Sequence, residues 1–153
     1  MRIIVIGSGF VGEAFSLLME GRGNEVFRIS KSGSGKSIGM DVSDLTSVQL
    51  TKEKIGEVDA VIHCASSGSR GQNRKQRYQK VYVDGCRNLS EIFSQSMIVF
   101  ASSSSVYGQN DGSLVDENSK TEPASSTGNL LLEAEKIALN SNGSVVIWRG
   151  ISS

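Results

Sequence analysis

Three glycines near the start of the chain have a spacing that suits the binding of phosphate groups. Gly7, Gly9 and Gly12 form a G-x-G-x-x-G pattern between a short apolar run and a segment with helical spacing. The first glycine of such a turn permits a tight bend, the second lets the backbone approach a pyrophosphate, and the third lets the helix pack on the strand. The helix N-terminus also offers unpaired N–H groups to phosphates. The alternative is a glycine-rich turn without a ligand, but the flanking pattern favours a dinucleotide site that comprises Gly7, Ser8, Gly9, Phe10, Val11 and Gly12.

The end of the second apolar run bears on which dinucleotide is bound. In NAD sites, an acidic residue about 20 positions after the glycines binds the ribose 2′-hydroxyl. Here the run ends in Ser30, Lys31 and Ser32, with no carboxylate at its tip. Lys31 and the two serine hydroxyls can instead hold the 2′-phosphate of NADP. The segment favours NADP as the cofactor, with NAD as the second candidate. The alternative without a ligand is a solvated lysine in a polar loop.

Two further groups of polar residues are candidates for ligand contact. Residues 102–105 are serines at the end of a predicted central strand, where ligands bind in parallel sheets; a plain polar strand end is the alternative. A basic run without acidic residues is a solvated surface by default, or an anion contact to a substrate diphosphate or to an acidic partner. Its members are Arg70, Arg74, Lys75, Arg77 and Lys80.

Composition limits the classes of protein that the chain can belong to. It has 153 residues, and 16 basic residues balance 16 acidic ones, so no net charge predicts a nucleic-acid or membrane partner. The apolar runs are too short to span a membrane. Cys64 and Cys86 lack metal-ligand spacing and are interpreted as reduced core residues of a cytoplasmic protein, and His63 as a satisfied structural histidine, so no metal site is expected.

Alternating apolar runs and helical segments predict the architecture that positions these residues. Continuous Val- and Ile-rich runs indicate strands at 2–6, 26–29, 37–40, 58–64, 96–101 and 145–149, with helices at 10–20, 43–52, 75–93 and 127–140. The pattern predicts an α/β fold, a Rossmann-type doubly wound parallel sheet in the order 3-2-1-4-5-6. We expect one domain, residues 1–153, without a smaller C-terminal substrate lobe.

Four motifs together resemble a known superfamily. They are the glycine turn, DVSD at 41–44, HCAS at 63–66 and SSSSVYG at 102–108, supported by VDGCRNL at 83–89. From Met1 to Arg149 the chain resembles the extended short-chain dehydrogenase/reductases. More narrowly, it is similar to the NAD-dependent epimerase/dehydratase group, which acts on nucleotide sugars.

The resemblance assigns roles to individual positions. It implies that Asp41 and Val42 contact the adenine ring and that Ser103 hydrogen-bonds a substrate oxygen. Near the cofactor diphosphate and ribose it places Cys64, Ala65 and Ser66. A structural alternative exists beside Asp41, because Ser43 or Asp44 can cap the following helix. Both descriptions can hold together.

The catalytic Y-x-x-x-K pair of the family is missing. Alignment places Thr127 at the tyrosine and Leu131 at the lysine, and Tyr82 stands where the family commonly has asparagine. A threonine hydroxyl cannot ionise near neutral pH, and leucine supplies no charge, so a general acid/base contribution of about 10²–10⁴-fold should be lost. Leu131 is expected to pack against Ala134 and Ala138. The remaining catalytic candidates are Ser103, Thr127 and Tyr107.

Two hypotheses about function follow from these residues. The first is an enzyme that transfers hydride between nicotinamide and a small-molecule substrate of the nucleotide-sugar class. The second is a non-catalytic NADP-binding sensor or scaffold, with the fold of an atypical member of the superfamily. A third alternative is that the chain is a fragment whose partner lobe lies elsewhere. In such a truncated chain, the surfaces around Trp148 and Ile151 are expected to stay exposed and to promote self-association.

Overall fold

The computed structural model describes residues 1–68, 73–141 and 145–150. Within them, six parallel strands form one sheet in the order β3-β2-β1-β4-β5-β6, which confirms the predicted order. The strands are β1 (Arg2–Ile6), β2 (Glu25–Ser30), β3 (Ile38–Gly39), β4 (Ala60–His63), β5 (Met97–Ser103) and β6 (Val145–Gly150). The strand order reverses between β1 and β4, so the crevice at their carboxyl ends is the expected ligand site of such a sheet.

Helices cover both faces of this sheet. They are α1 (Phe10–Gly21), α2 (Leu45–Ile55), α3 (Arg74–Tyr78), α4 (Gly85–Ile92) and α5 (Ser126–Leu139). Ile4 and Ile6 of β1 are buried in the cluster that includes residues of α2 and α4, whereas Ile3 and Val5 are buried with residues from α1. Because both faces are covered, β1, β4 and β5 each contain an uninterrupted apolar stretch, and this explains the continuous runs in the sequence.

The segment predicted as one helix at 75–93 contains a π-helical turn. Residues Gln79–Asp84 form this turn between α3 and α4. The imidazole of His63 lies against it, and Nε2 donates to the Val81 carbonyl oxygen at 2.9 Å. Nδ1 has no hydrogen-bond partner among the described residues, so the predicted satisfied histidine is only half satisfied. Burial lowers the pKa of His63 to about 4, so the ring is neutral.

Helix capping settles one alternative that the sequence left open. The carboxylate of Asp44 accepts hydrogen bonds from the backbone N–H groups of Thr46 and Ser47, so Asp44 is the N-cap of α2. Ser43 instead donates its hydroxyl to Asp41 at 2.7 Å. Asp41 is therefore free of the capping role.

The described residues contain no helix that is both long and apolar enough to cross a lipid bilayer. Arg70 and Ile151, which entered the sequence interpretation, lie outside the described residues.

Candidate functional site

The three glycines of the turn meet different surroundings. Gly7 has φ +113°, and a Cβ there would lie 2.7 Å from the Cys64 carbonyl oxygen. A Cβ on Gly12 would lie 1.9 Å from the Gly7 carbonyl oxygen, whereas one on Gly9 would meet nothing within 4 Å. Gly7 and Gly12 are thus required by backbone packing. Gly9, the N-cap of α1 without a side-chain capping bond, leaves open space above the first turn of the helix.

This open space belongs to a cavity of about 420 Å³, here called the first cavity. It lies at the carboxyl ends of β1, β2, β3 and β4. Most of the predicted cofactor residues line it together: Gly7, Ser8, Gly9, Ser30, Lys31, Asp41, Val42, Cys64, Ala65 and Ser66. The structure does not bring the other predicted positions to its wall, namely Phe10, Val11, Gly12 and Ser32. Phe10 is 92% exposed and does not line this cavity.

Several residues of the first cavity were not assigned to it from the sequence. They are Ile6, Met40, Ser43, Ser67, Arg77, Lys80 and Val81. Arg77 and Lys80 are members of the basic run. The alternative interpretation of that run, as an anion contact, was the feature of the sequence that could have assigned them to this cavity. Arg77 also donates from Nε to the Ser67 carbonyl oxygen at 3.2 Å. The first cavity therefore has two cations on its wall, Arg77 and Lys80, that were not predicted as cofactor residues from the sequence.

A salt bridge at the first cavity alters the argument about the cofactor form. Lys31 Nζ lies 2.8 Å from the Asp41 carboxylate, so the tip of β2 does have a carboxylate beside it. Pairing of Ser30 with Gly39 between β2 and β3 brings Asp41 to this position. Partial burial opposes ionisation, but the hydrogen bonds from Lys31 and Ser43 outweigh it and lower the pKa of Asp41 to about 2. The charge of Lys31 is therefore already shared with Asp41.

Cys64 contributes a thiol to the same wall. Its Sγ donates to the Ile6 carbonyl oxygen at 3.2 Å, and burial raises its pKa to about 11. Burial raises the pKa of the Cys86 thiol as well. Both cysteines are free, and neither has the character of a nucleophile.

A second cavity of about 540 Å³ adjoins the first, and Ser66 and Ser67 line both. Its remaining lining residues are Gly68, Arg74, Tyr78, Tyr82, Ala101, Ser102, Ser103 and Leu131. The hydroxyl of Tyr82 accepts the Ser67 N–H at 3.2 Å. Arg74 donates to the Tyr78 hydroxyl at 3.1 Å, and its guanidinium lies 5.3 Å from the Tyr78 ring centre.

Of the three catalytic candidates, Ser103 lines the second cavity, whereas Thr127 and Tyr107 line neither of the two cavities described. Thr127 lies at the start of α5 with Oγ1 3.3 Å from the Ser125 hydroxyl, outside both linings. The Tyr107 hydroxyl donates to the Asp116 carbonyl oxygen at 2.8 Å and accepts from Arg149 at 2.9 Å. The hydrogen and one lone pair of this hydroxyl therefore already have partners outside the two cavities.

Leu131 is buried, as its packing pattern predicted. It belongs to one core cluster with Ala134 and Ala138, and only its edge reaches the second cavity. A lysine at this position would place part of its side chain in the apolar core, where a charge is unfavourable. The surrounding packing therefore suits the leucine that is present.

Within the described ranges, no group of three or more His, Cys, Asp or Glu side chains is placed to hold a metal ion.

Comparison with known proteins gives results at the level of family and fold. Residues 3–138 match the model of the NAD dependent epimerase/dehydratase family. A short-chain dehydrogenase/reductase superfamily protein from Agrobacterium tumefaciens with bound NAD is 27% identical, with a TM-score of 0.79 over 97% of this chain and 48% of that one. MoeE5 in complex with UDP-glucose and NAD is 28% identical, with a TM-score of 0.78 over 97% of this chain and 54% of that one.

A third solved structure supports the fold alone. Bordetella bronchiseptica WbmG in complex with NAD and UDP is 20% identical, with a TM-score of 0.84 over 97% of this chain and 52% of that one. No curated protein sequence matches the chain.

The chain spans about half the length of these solved structures. The match over residues 3–138, the reversal of strand order at the first cavity and the glycine turn agree with one another. The chain therefore belongs to the NAD-dependent epimerase/dehydratase family.

Proposed function

We propose that this chain binds NADP or NAD in the first cavity and takes part in hydride transfer to or from a nucleotide sugar in the second cavity. The observation that carries the proposal is the shared wall: Ser66 and Ser67 line both cavities. A dinucleotide lying along the glycine turn would reach this wall with one end. A substrate oxygen held by Ser103 would then lie in the adjoining cavity.

The first cavity has the properties that a dinucleotide needs. Its volume falls within the range of small-molecule sites, and its lining combines apolar residues with a few polar groups. The backbone at Gly9 is open to a pyrophosphate, and the first turn of α1 points its N–H groups toward it. Two solved structures that are 27% and 28% identical to this chain hold NAD.

The proposed cofactor form is inferred from charge. Lys31 lines the first cavity at the end of β2 and favours a 2′-phosphate there, which supports NADP. Arg77 and Lys80 add positive charge elsewhere on the wall of this cavity. Asp41 opposes this preference because it already pairs with Lys31. We propose NADP as the preferred form with NAD as a weaker ligand.

The nucleotide-sugar proposal rests on the second cavity and on one neighbour. MoeE5, 28% identical, was solved in complex with UDP-glucose and NAD. Arg74 on the wall of the second cavity offers a cation to a diphosphate, in keeping with the anion-contact alternative for the basic run. Ser103 would orient the sugar.

A second candidate function is a non-catalytic NADP-binding sensor or scaffold. It is favoured by the position of Thr127 outside both cavities and by Leu131, which is 3% exposed and fills the place of a cationic residue with core packing. Without a positioned acid/base, turnover would be slower by about 10²–10⁴-fold.

One experiment separates the two candidates. Purified protein is mixed with NADP⁺ or NAD⁺ and nucleotide sugars in their hydroxyl form, and separately with NADPH or NADH and the keto forms, and the nicotinamide absorbance is followed. Hydride transfer predicts a change in absorbance that Ser103→Ala abolishes and Ser105→Ala, an exposed position outside both cavities, leaves intact. Cofactor binding without any absorbance change, and without conversion of any nucleotide sugar when the products are separated by chromatography, would favour the sensor.

Two finer properties belong to the same proposal. Free thiols at Cys64 and Cys86 support a reducing, cytoplasmic location. Val146 and Trp148 expose apolar side chains on the edge strand β6, which supports self-association through this strand.

A further inference from the structure

A buried carboxylate lies directly behind the second cavity. Glu135 of α5 is 1% exposed and forms an ion pair with Arg149 of β6. Arg149 Nη2 donates to one carboxylate oxygen at 2.8 Å, and Nε donates to the other at 3.1 Å. The same hydrogen bonds raise the pKa of Arg149 above its ordinary value. Both oxygens of Glu135 are therefore held in a fixed orientation.

Ser102 is tied to this carboxylate. Its hydroxyl lies 2.6 Å from Glu135 Oε1, a short distance typical of a hydroxyl that donates to an ionised oxygen. A carboxylate in an ion pair can only accept, so the hydrogen of Ser102 must point to Glu135. Toward the second cavity, which Ser102 also lines, only its lone pairs remain. The Ser102 hydroxyl could therefore only accept a hydrogen bond from an occupant of this cavity.

Ser103 has the opposite polarity. Its Oγ accepts the backbone N–H of Ser105 at 3.2 Å, at the start of the short 3₁₀ turn that follows β5. Among the described residues no group accepts the hydrogen of its own hydroxyl. Because Ser103 lines the second cavity, this hydrogen is available to an occupant. Neighbouring residues at one strand end therefore present one acceptor and one donor.

We propose that Ser102 is a specificity-determining residue that accepts a hydroxyl hydrogen of the substrate, while Ser103 donates to a neighbouring substrate oxygen. Glu135 and Arg149 are positioning residues that fix the hydrogen of Ser102. The matching ligand is a sugar with a hydroxyl next to an oxygen that only accepts, such as the carbonyl of an α-hydroxy-ketone. This inference rests on the proposed function, because it specifies which hydrogen-bonding groups of a bound nucleotide sugar the protein recognises.

The test compares how substrate analogues that lack single hydroxyls bind to the natural protein and to its variants. UDP-glucose and analogues in which a single sugar hydroxyl is replaced by fluorine are titrated by calorimetry into cofactor-saturated protein. Fluorine cannot donate a hydrogen bond, so one analogue should bind about tenfold more weakly than UDP-glucose to the natural protein. In Ser102→Ala the same analogue and UDP-glucose should bind equally, and UDP alone should bind as before.

Matched variants separate hydrogen-bond polarity from structure. Ser105→Ala should keep the pattern of the natural protein because its side chain is exposed and outside the cavity. Glu135→Gln retains the Ser102 hydroxyl but offers an amide that can donate, so the discrimination between the analogues should shrink. Should that variant fail to fold, Ser102→Ala still decides the matter.

The outcomes are distinguishable. If the natural protein binds cofactor but neither UDP-glucose nor UDP, the proposed nucleotide-sugar function is wrong and this inference is overturned with it. If UDP-glucose binds and Ser102→Ala discriminates between the analogues as the natural protein does, this inference is overturned and the proposed function stands. An equal loss of UDP, UDP-glucose and cofactor binding in Ser102→Ala would show a merely structural role and also overturn it.

Discussion

Single residues decide the charge and protonation of the two cavities. Lys31 and Asp41 neutralise each other at the end of the first cavity, while Arg77 and Lys80 add positive charge from the helical side. His63, buried behind the β4 end, is neutral and donates to Val81. We expect these residues to influence which dinucleotide binds and over which range of pH the fold is stable.

The Lys31–Asp41 pair should control the preference for NADP. Lys31→Ala removes a cation from the proposed 2′-phosphate site, so NADPH affinity should fall about tenfold while NADH affinity changes little. Asp41→Asn releases Lys31 and should raise NADPH affinity. Quenching or enhancement of nicotinamide fluorescence measures both. Lys36→Ala, an exposed lysine outside the first cavity, is the control, and an equal effect of the Lys36 and Lys31 variants would contradict the assignment.

His63 should make stability depend on pH. Burial lowers its pKa from 6.5 to about 4, so the unfolded chain takes up a proton more readily than the folded one. The stabilising contribution is present above pH 6.5 and is lost progressively as the pH falls toward about 4. Urea unfolding, followed by the fluorescence of the single tryptophan, should show this fall. Because the chain has one histidine, His63→Asn should flatten the curve in this window, and an unchanged slope would refute the prediction.

Secondary-structure elements show how much of the molecule could be predicted. The Val- and Ile-rich runs sufficed for the strands, and the crossover rules of the Rossmann pattern predicted their order. The glycine turn and the end of the second run predicted one part of the first cavity, and the family resemblance implied the rest, from Asp41 to Ser66. The Lys31–Asp41 contact was missed because it depends on the register between β2 and β3. The π turn at Gln79–Asp84 was missed because apolar spacing does not separate it from an α-helix. Whether Lys80 faces the cavity depends on how this segment packs against the sheet, and local sequence does not determine that.

Arg149 joins three elements and should be important for stability. It links β6 to Glu135 of α5 and to Tyr107, whose hydroxyl holds the Asp116 carbonyl in the following loop. Arg149→Met leaves Glu135 buried without its cation, which should lower the free energy of unfolding by about 3–5 kcal/mol. Arg28→Met is the control, because Glu13 and Glu20 on the surface lose little without their partner. Equal losses in the two variants, measured by urea unfolding, would rule out this role for Arg149.

At the scale of the whole molecule, the sheet has one edge with exposed apolar residues. β6 lies at this edge, and Val146 and Trp148 are about half exposed, at 48% and 51%. An edge strand with such side chains is prone to pair with another copy of the chain.

Trp148→Ser should therefore reduce self-association of this chain. Light scattering across a range of protein concentrations should show a larger monomer fraction for the variant than for the natural protein. Leu114→Ser removes a leucine that is 99% exposed in a loop and should leave the distribution unchanged. A natural protein that is monomeric at every concentration would contradict the expectation.

The central expectation for this molecule is that a dinucleotide lies along the open backbone at Gly9. Calorimetric titration of NADP⁺ and NAD⁺ into the natural protein and Gly9→Ala tests this directly. The added methyl meets no protein atom within 4 Å, and alanine is a poorer N-cap than glycine, so the thermal unfolding midpoint should fall only slightly while cofactor affinity falls at least about tenfold. Gly21→Ala, also free of contacts within 4 Å but far along α1, should bind cofactor normally. Undiminished binding by Gly9→Ala, or no binding of either cofactor by the natural protein, would contradict the account.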